Sequence, residues 1–166
     1  MKNLIAFPLL ALTLAIQMAI ASRMTLLSGS ADLMLLLLAA WSLQEQVESA
    51  WQWAVLGALM FAFVSGLPPY VPFIGYLLVV ALARLIHRRI WQIPSLAMFT
   101  VTFAGTLFMQ ALSIGALQLK GVPLSFAEAF GLVTVPSVLL NLLLALPVYS
   151  VVRDLALWVY PVQEMA

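Results

Sequence analysis

Cysteine is missing from all 166 residues, histidine occurs once, and only 8% of the chain is charged. The first absence excludes disulfides, thiolate metal sites and a cysteine nucleophile. The single histidine, His87, stands beside Arg88 and Arg89 and reads as a membrane-interface residue rather than a catalytic base. Seven basic and six acidic residues leave a net charge of +1, which gives no electrostatic footprint for nucleic acid. The scarcity of charge has the widest consequence. Soluble domains are about a quarter charged, whereas this chain is 65% hydrophobic with a mean hydropathy of +1.13. It has too few polar side chains to cover a water-facing surface, so lipid is the expected solvent. No Pro/Gly/Ser-rich linker or charge run interrupts the chain, and a single transmembrane domain over residues 1–166 is expected.

Catalytic patterns are missing as well. The chain contains no H-E-x-x-H, no G-x-S-x-G and no phosphate-binding glycine loop. Asp32 sits at the outer edge of an apolar stretch, and Glu45 and Glu48 fall between two such stretches. A serine nucleophile inside a bilayer would need a base beside it, and the one histidine lies at the end of its stretch. The expectation is a non-enzymatic protein with no cofactor, no metal and no small-molecule substrate.

What is present is a series of apolar segments. A hydrocarbon core of roughly 30 Å takes about 20 residues of helix. Polar interruptions divide the chain into six candidate spans, at residues 4–21, 31–43, 51–67, 72–86, 94–119 and 135–152, an all-α membrane bundle. Segments two to four are short for full crossings. The start, "MKNLIAFPLLALTLAIQMAIAS", imitates a cleavable signal peptide, but its apolar part is long enough to cross a bilayer and is read as a retained first helix. With both termini in the cytoplasm, Lys2, Arg84, Arg88, Arg89 and Arg153 fall inside and only Arg23 and Lys120 outside, the sense of the positive-inside rule. Trp41, Trp51, Trp53, Trp91 and Trp158 also fall near the ends assigned to the cytoplasm. Arg88, Arg89, Trp91 and Arg153 are the expected interface anchors.

Helices in lipid associate through close backbone approach or interhelical hydrogen bonds. Ala11, Ala15 and Ala19 repeat at four-residue spacing in the first segment, and Ala54, Ala58, Ala62 and Gly66 do so in the third. The second series is the stronger candidate for a packing face. Before the last span, Ser125 and Glu128 have capping-box spacing and Phe126 and Phe130 stand four apart. A short helix along the outer interface is the favoured reading, and its rival is a last helix that begins at Phe126 and bends at Pro136. Inside the spans the polar residues are uncharged: Gln17, Gln110, Ser113, Ser137 and Asn141. An amide in hydrocarbon costs several kcal/mol, on the order of 2–7, unless it is hydrogen-bonded. Asn141 is therefore expected to face protein, either within the chain or across an interface, and Gln110 is a second candidate of the same kind.

Several stretches together resemble a known family. "ADLMLLLLAAWSL", "VLGALMFAFVSGLP", "GYLLVVALARLIHRR" and "VPSVLLNLLLALPVYSVVRDL" are similar to segments of the rod shape-determining MreD family, and the likeness covers most of the chain. Two departures stand out. The family tends to carry a proline before the aspartate of the second span, and an acidic residue soon after the glycine of the third, where this chain has Gly66-Leu67-Pro68. The resemblance implies an inner-membrane scaffold of the cell-elongation, peptidoglycan-synthesising machinery. It would bind an MreC-like protein and, through it, MreB, RodA and its transpeptidase. It also implies a fold similar to the six-helix substrate-binding components of energy-coupling-factor vitamin transporters, and such a subunit is the alternative function. A transporter subunit should hold a closed ligand cavity on its outer side. A scaffold should have a filled interior and an exposed apolar face or groove.

Overall fold

Proline and glycine set several of the element boundaries. The computed structural model describes residues 5–21, 28–89, 93–123 and 125–160. Among them the chain is all-helical, with six helices. Helix α1 (Ala6–Ile16) widens into a π stretch (Gln17–Ala21), and α2 spans Leu33–Ser42. Helix α3 (Ala50–Val64) ends where Pro68 and Pro69 forbid its continuation. Helix α4 (Tyr70–Arg89) runs on through the basic cluster. Helix α5 (Pro94–Leu119) starts with a proline in its first turn and closes on Gly121 at φ 79°. There the Gly121 N–H donates to the Gln118 carbonyl at 2.9 Å and the Val122 N–H to the Leu117 carbonyl at 3.1 Å, the paired bonds of a Schellman cap.

The last helix, α6, is continuous over Phe126–Val159. Its first turn (Phe126–Ala129) passes through a π stretch (Phe130–Thr134) into Val135–Val159. This corrects the favoured reading of a separate interfacial helix, since the last helix itself begins at Phe126. The capping box is also not made, because Ser125 is the N-cap but its side chain forms no capping bond. At the other end, α6 continues past residue 152, so Arg153 lies within the helix. It pairs with Asp154 at 3.0 Å, both side chains being exposed, a contact of little energetic weight.

Three helices, α4 to α6, are long and apolar enough to cross a membrane, and three shorter apolar helices accompany them. Helix α2 has ten residues, about 15 Å of rise, half the thickness of a hydrocarbon core. Every residue from Met34 to Ser42 is buried, as expected of a helix apolar on all sides. It is the central strut of the bundle. The other helices surround it in the order α1, α3, α4, α5, α6, each packed on its neighbour and on α2. The ring opens between α1 and α6 into a groove of about 330 Å³. Leu12 and Ile16 form one wall, Val148 and Val151 the other, and Leu33 and Leu37 of α2 the floor.

The packing faces differ from the small-residue stripes. In α1 and the π stretch that follows it, Ala6, Leu10 and Gln17 are buried, while Ala15 and Ala19 are exposed and Ala11 is half-buried, so the alanine repeat does not mark the contact face. In α3, Ala54 and Ala58 are buried, Ala62 is half-buried, and Gly66 lies beyond the helix end, exposed. The buried track is instead Ala50, Trp53, Ala54, Gly57 and Ala58. A Cβ on Gly57 would meet Met34, Leu10 and Leu38 at 3.2 to 3.5 Å, which places that track against α1 and α2. Ala58→Leu should therefore lower stability by about 2 kcal/mol through overpacking, read as a drop in the thermal unfolding midpoint in detergent. Gly66→Leu, at a position with open space around it, should leave the midpoint unchanged, and equal effects of the two would contradict this packing.

The tryptophans also divide. Trp41 and Trp53 are buried and stacked on each other with ring centroids 4.1 Å apart, so they belong to the core and not to an interfacial belt. Trp51 and Trp158 are exposed. Lys2, Arg23 and Trp91 lie outside the described residues, as do the side chains of Arg88 and Arg89.

Candidate functional site

The segment that leads into α2 docks on α6 through two consequences of proline and glycine chemistry. Pro136 has no N–H, so the carbonyl of Leu132 one turn earlier receives no helical bond from it. The Ser28 N–H supplies one at 3.2 Å, beside the π stretch of α6. Gly29 then lies directly on the α6 backbone. A Cβ there would stand 2.7 Å from Pro136 Cβ, 2.7 Å from the Ser137 nitrogen and 2.8 Å from the Val133 carbonyl oxygen. Close approach is what requires glycine at this position.

Residues 28–32 continue along α6 as an extended segment that donates every second N–H to it. The Ser30 N–H reaches Ser137 Oγ at 3.1 Å, and the Asp32 N–H reaches Asn141 Oδ1 at 2.8 Å. Asn141 is fully buried, and its Nδ2 donates to Thr106 Oγ1 on α5 at 2.9 Å. The amide therefore ties the start of α2 to α5 and α6 within the chain.

Asp32 is the N-cap of α2. Its Oδ1 accepts from the Leu35 N–H at 2.9 Å, and the Tyr76 hydroxyl of α4 lies 3.3 and 3.4 Å from the two carboxylate oxygens. Gln17 Oε1, from the π stretch of α1, accepts from the Met34 N–H at 3.0 Å. A helix start leaves its first N–H groups without partners in the helix, and here the start lies inside the bundle. Side chains from α1 and α6, together with Asp32 itself, supply the acceptors that water would otherwise provide, and Tyr76 of α4 steadies the Asp32 carboxylate.

Of the residues singled out by sequence, Asn141, Ser137 and Gln17 meet at this junction. Ala54 and Ala58 serve a different contact on α3. Gln110, one turn beyond Thr106, is half-buried and joins none of these bonds, and Ser113 bonds back to the Met109 carbonyl at 2.8 Å. Sequence reasoning missed Asp32 as a central residue, and did not single out Tyr76 or Thr106. The signal for Asp32 was present: an N-cap residue type directly before a short, wholly apolar run.

The junction has the character of a structural clasp. Its groups are one carboxylate, two amides and hydroxyls, and among the described residues no three or more His, Asp or Glu side chains stand where they could hold a metal ion. No protein-family model, curated protein or solved structure matches the chain. The fold and this site define an all-helical protein with three helices able, by length and composition, to cross a membrane.

Proposed function

We propose that the chain is an MreD-like, non-enzymatic scaffold of the bacterial inner membrane, crossing it six times with both termini in the cytoplasm. It would bind an MreC-like protein and, through that protein, MreB, RodA and its transpeptidase, with membrane lipid around the remaining surface. The resemblance of the four sequence segments motivates this reading. The observation that carries it is the combination of a filled centre and an open side. Met34, Leu35, Leu36, Leu38, Tyr76, Met98 and Asn141 are all fully buried, so packed side chains fill the interior of the bundle, where the alternative, a transporter subunit, calls for a closed ligand cavity. The groove between α1 and α6 is apolar and exposes Leu12 and Val151, a surface suited to one further apolar helix.

The test is purification of the tagged chain in detergent from its native membrane, with identification of what accompanies it. An MreC-like protein in stoichiometric amount is the expected result. Val151→Trp, at a site 69% exposed, should fill the groove and reduce that recovery roughly tenfold without changing the thermal midpoint. Recovery of an ATPase module instead, or full recovery of the partner by Val151→Trp, would contradict the proposal.

A further inference from the structure

A second feature lies away from both clasp and groove, where the α2–α3 loop meets the last turns of α4. The loop is held in place. Gln44 Nε2 donates to the Ala40 carbonyl at 2.9 Å, the Val47 N–H donates to the Gln44 carbonyl at 3.3 Å, and the Val47 side chain is fully buried. Arg84 of α4 donates from its guanidinium to the Val47 carbonyl, which fixes loop and helix to each other.

Between them is a cleft of about 520 Å³. Glu45, Glu48 and Trp51 line it from the loop and the start of α3, and Arg84, Leu85 and His87 from α4. The two walls therefore differ in chemistry, with carboxylates on one and a guanidinium and an imidazole on the other. Trp51 and Leu85 are both exposed and give the rim an apolar surface. The apolar window of α4 is Tyr70–His87. In a membrane-crossing α4, this cleft lies at the level where hydrocarbon gives way to headgroups.

We propose that the cleft binds the headgroup of a zwitterionic aminophospholipid. Its phosphate faces Arg84 and His87, its primary ammonium faces Glu45 and Glu48, and its first chain carbons lie along Trp51 and Leu85. Guanidinium groups recognise phosphate through charge-assisted hydrogen bonds. The two carboxylates supply the selectivity. They repel a purely anionic headgroup, and they accept hydrogen bonds from a primary ammonium that a quaternary one has no N–H to make. The apolar rim favours a lipid over a soluble aminophosphate.

Native mass spectrometry of the full chain in detergent tests this, with phosphatidylethanolamine, phosphatidylglycerol and phosphatidylcholine offered in equal amounts. One phosphatidylethanolamine should be retained about fivefold over each of the others. The double variant Glu45→Gln/Glu48→Gln, at two exposed positions, should lose that preference. His87→Gln should weaken retention of all three lipids. Equal retention of the three lipids by the unaltered chain would overturn the proposal without need of any variant, as would an unchanged preference in the double variant. Displacement of the lipid by an equal concentration of phosphoethanolamine would overturn the assignment to a lipid. The site rests on the membrane reading, which fails separately if the chain is extracted into buffer without detergent.

Discussion

Gly29→Ala unseats the extended segment 28–32 from α6 and costs about 3 kcal/mol. The added Cβ meets the Ser137 nitrogen at 2.7 Å and the Val133 carbonyl oxygen at 2.8 Å. Both are backbone atoms of a helix and neither can rotate away. Relief requires the segment to lift, which also lengthens the Ser28, Ser30 and Asp32 bonds to α6. The same substitution at Gly75 meets only the flexible side chain of Met109, which can change rotamer, and should cost well under half as much. Thermal unfolding of the two variants in one detergent checks this, and a Gly29→Ala midpoint equal to that of the parent would refute the docking.

Asn141→Leu is expected to be about as severe, near 3 kcal/mol, for a different reason. Leucine has the same number of side-chain heavy atoms, so no cavity is left, and the main loss is of hydrogen bonds. The Asp32 N–H, in a half-buried position, and Thr106 Oγ1, in a buried one, both lose their partner, and a buried group left unpaired costs roughly 1–3 kcal/mol. Insertion should survive, since leucine is more apolar than asparagine. Thr106→Val in the Asn141→Leu background should add little, because the bond between the two is already gone. Additive losses in that pair, or a single variant as stable as the parent, would remove Asn141 from its role at the junction.

These two positions mark what the sequence made legible and what it did not. That Asn141 faces protein followed from the cost of an amide in hydrocarbon. Its partner did not follow, because Asp32 is 109 residues away in the chain and no local pattern links them. The limits of α5 were readable from Pro94 and from the Lys120-Gly121 turn, since both act through the backbone alone. The packing faces were not. In lipid, the side of a helix that meets other helices and the side that meets acyl chains are both apolar, so the alanine repeat of α1 could be read as a contact or as chance, and its Ala15 and Ala19 are exposed. Trp41 and Trp53 illustrate the same ambiguity: an indole near a helix end reads alike whether it meets headgroups or another indole. The brevity of α2 was visible at once, but its meaning required the ring of helices around it.

The absence of cysteine makes the most direct test of the account possible, because each introduced thiol is the only one in the molecule. The central claim is a six-span bundle with both termini in the cytoplasm. Glu45→Cys, Lys120→Cys and Asp154→Cys, all at exposed positions, can be treated in intact cells with a membrane-impermeant maleimide. The account predicts labelling of the cysteine at 120 from outside, and of those at 45 and 154 only after the membrane is opened. Labelling of all three from the same side would contradict it.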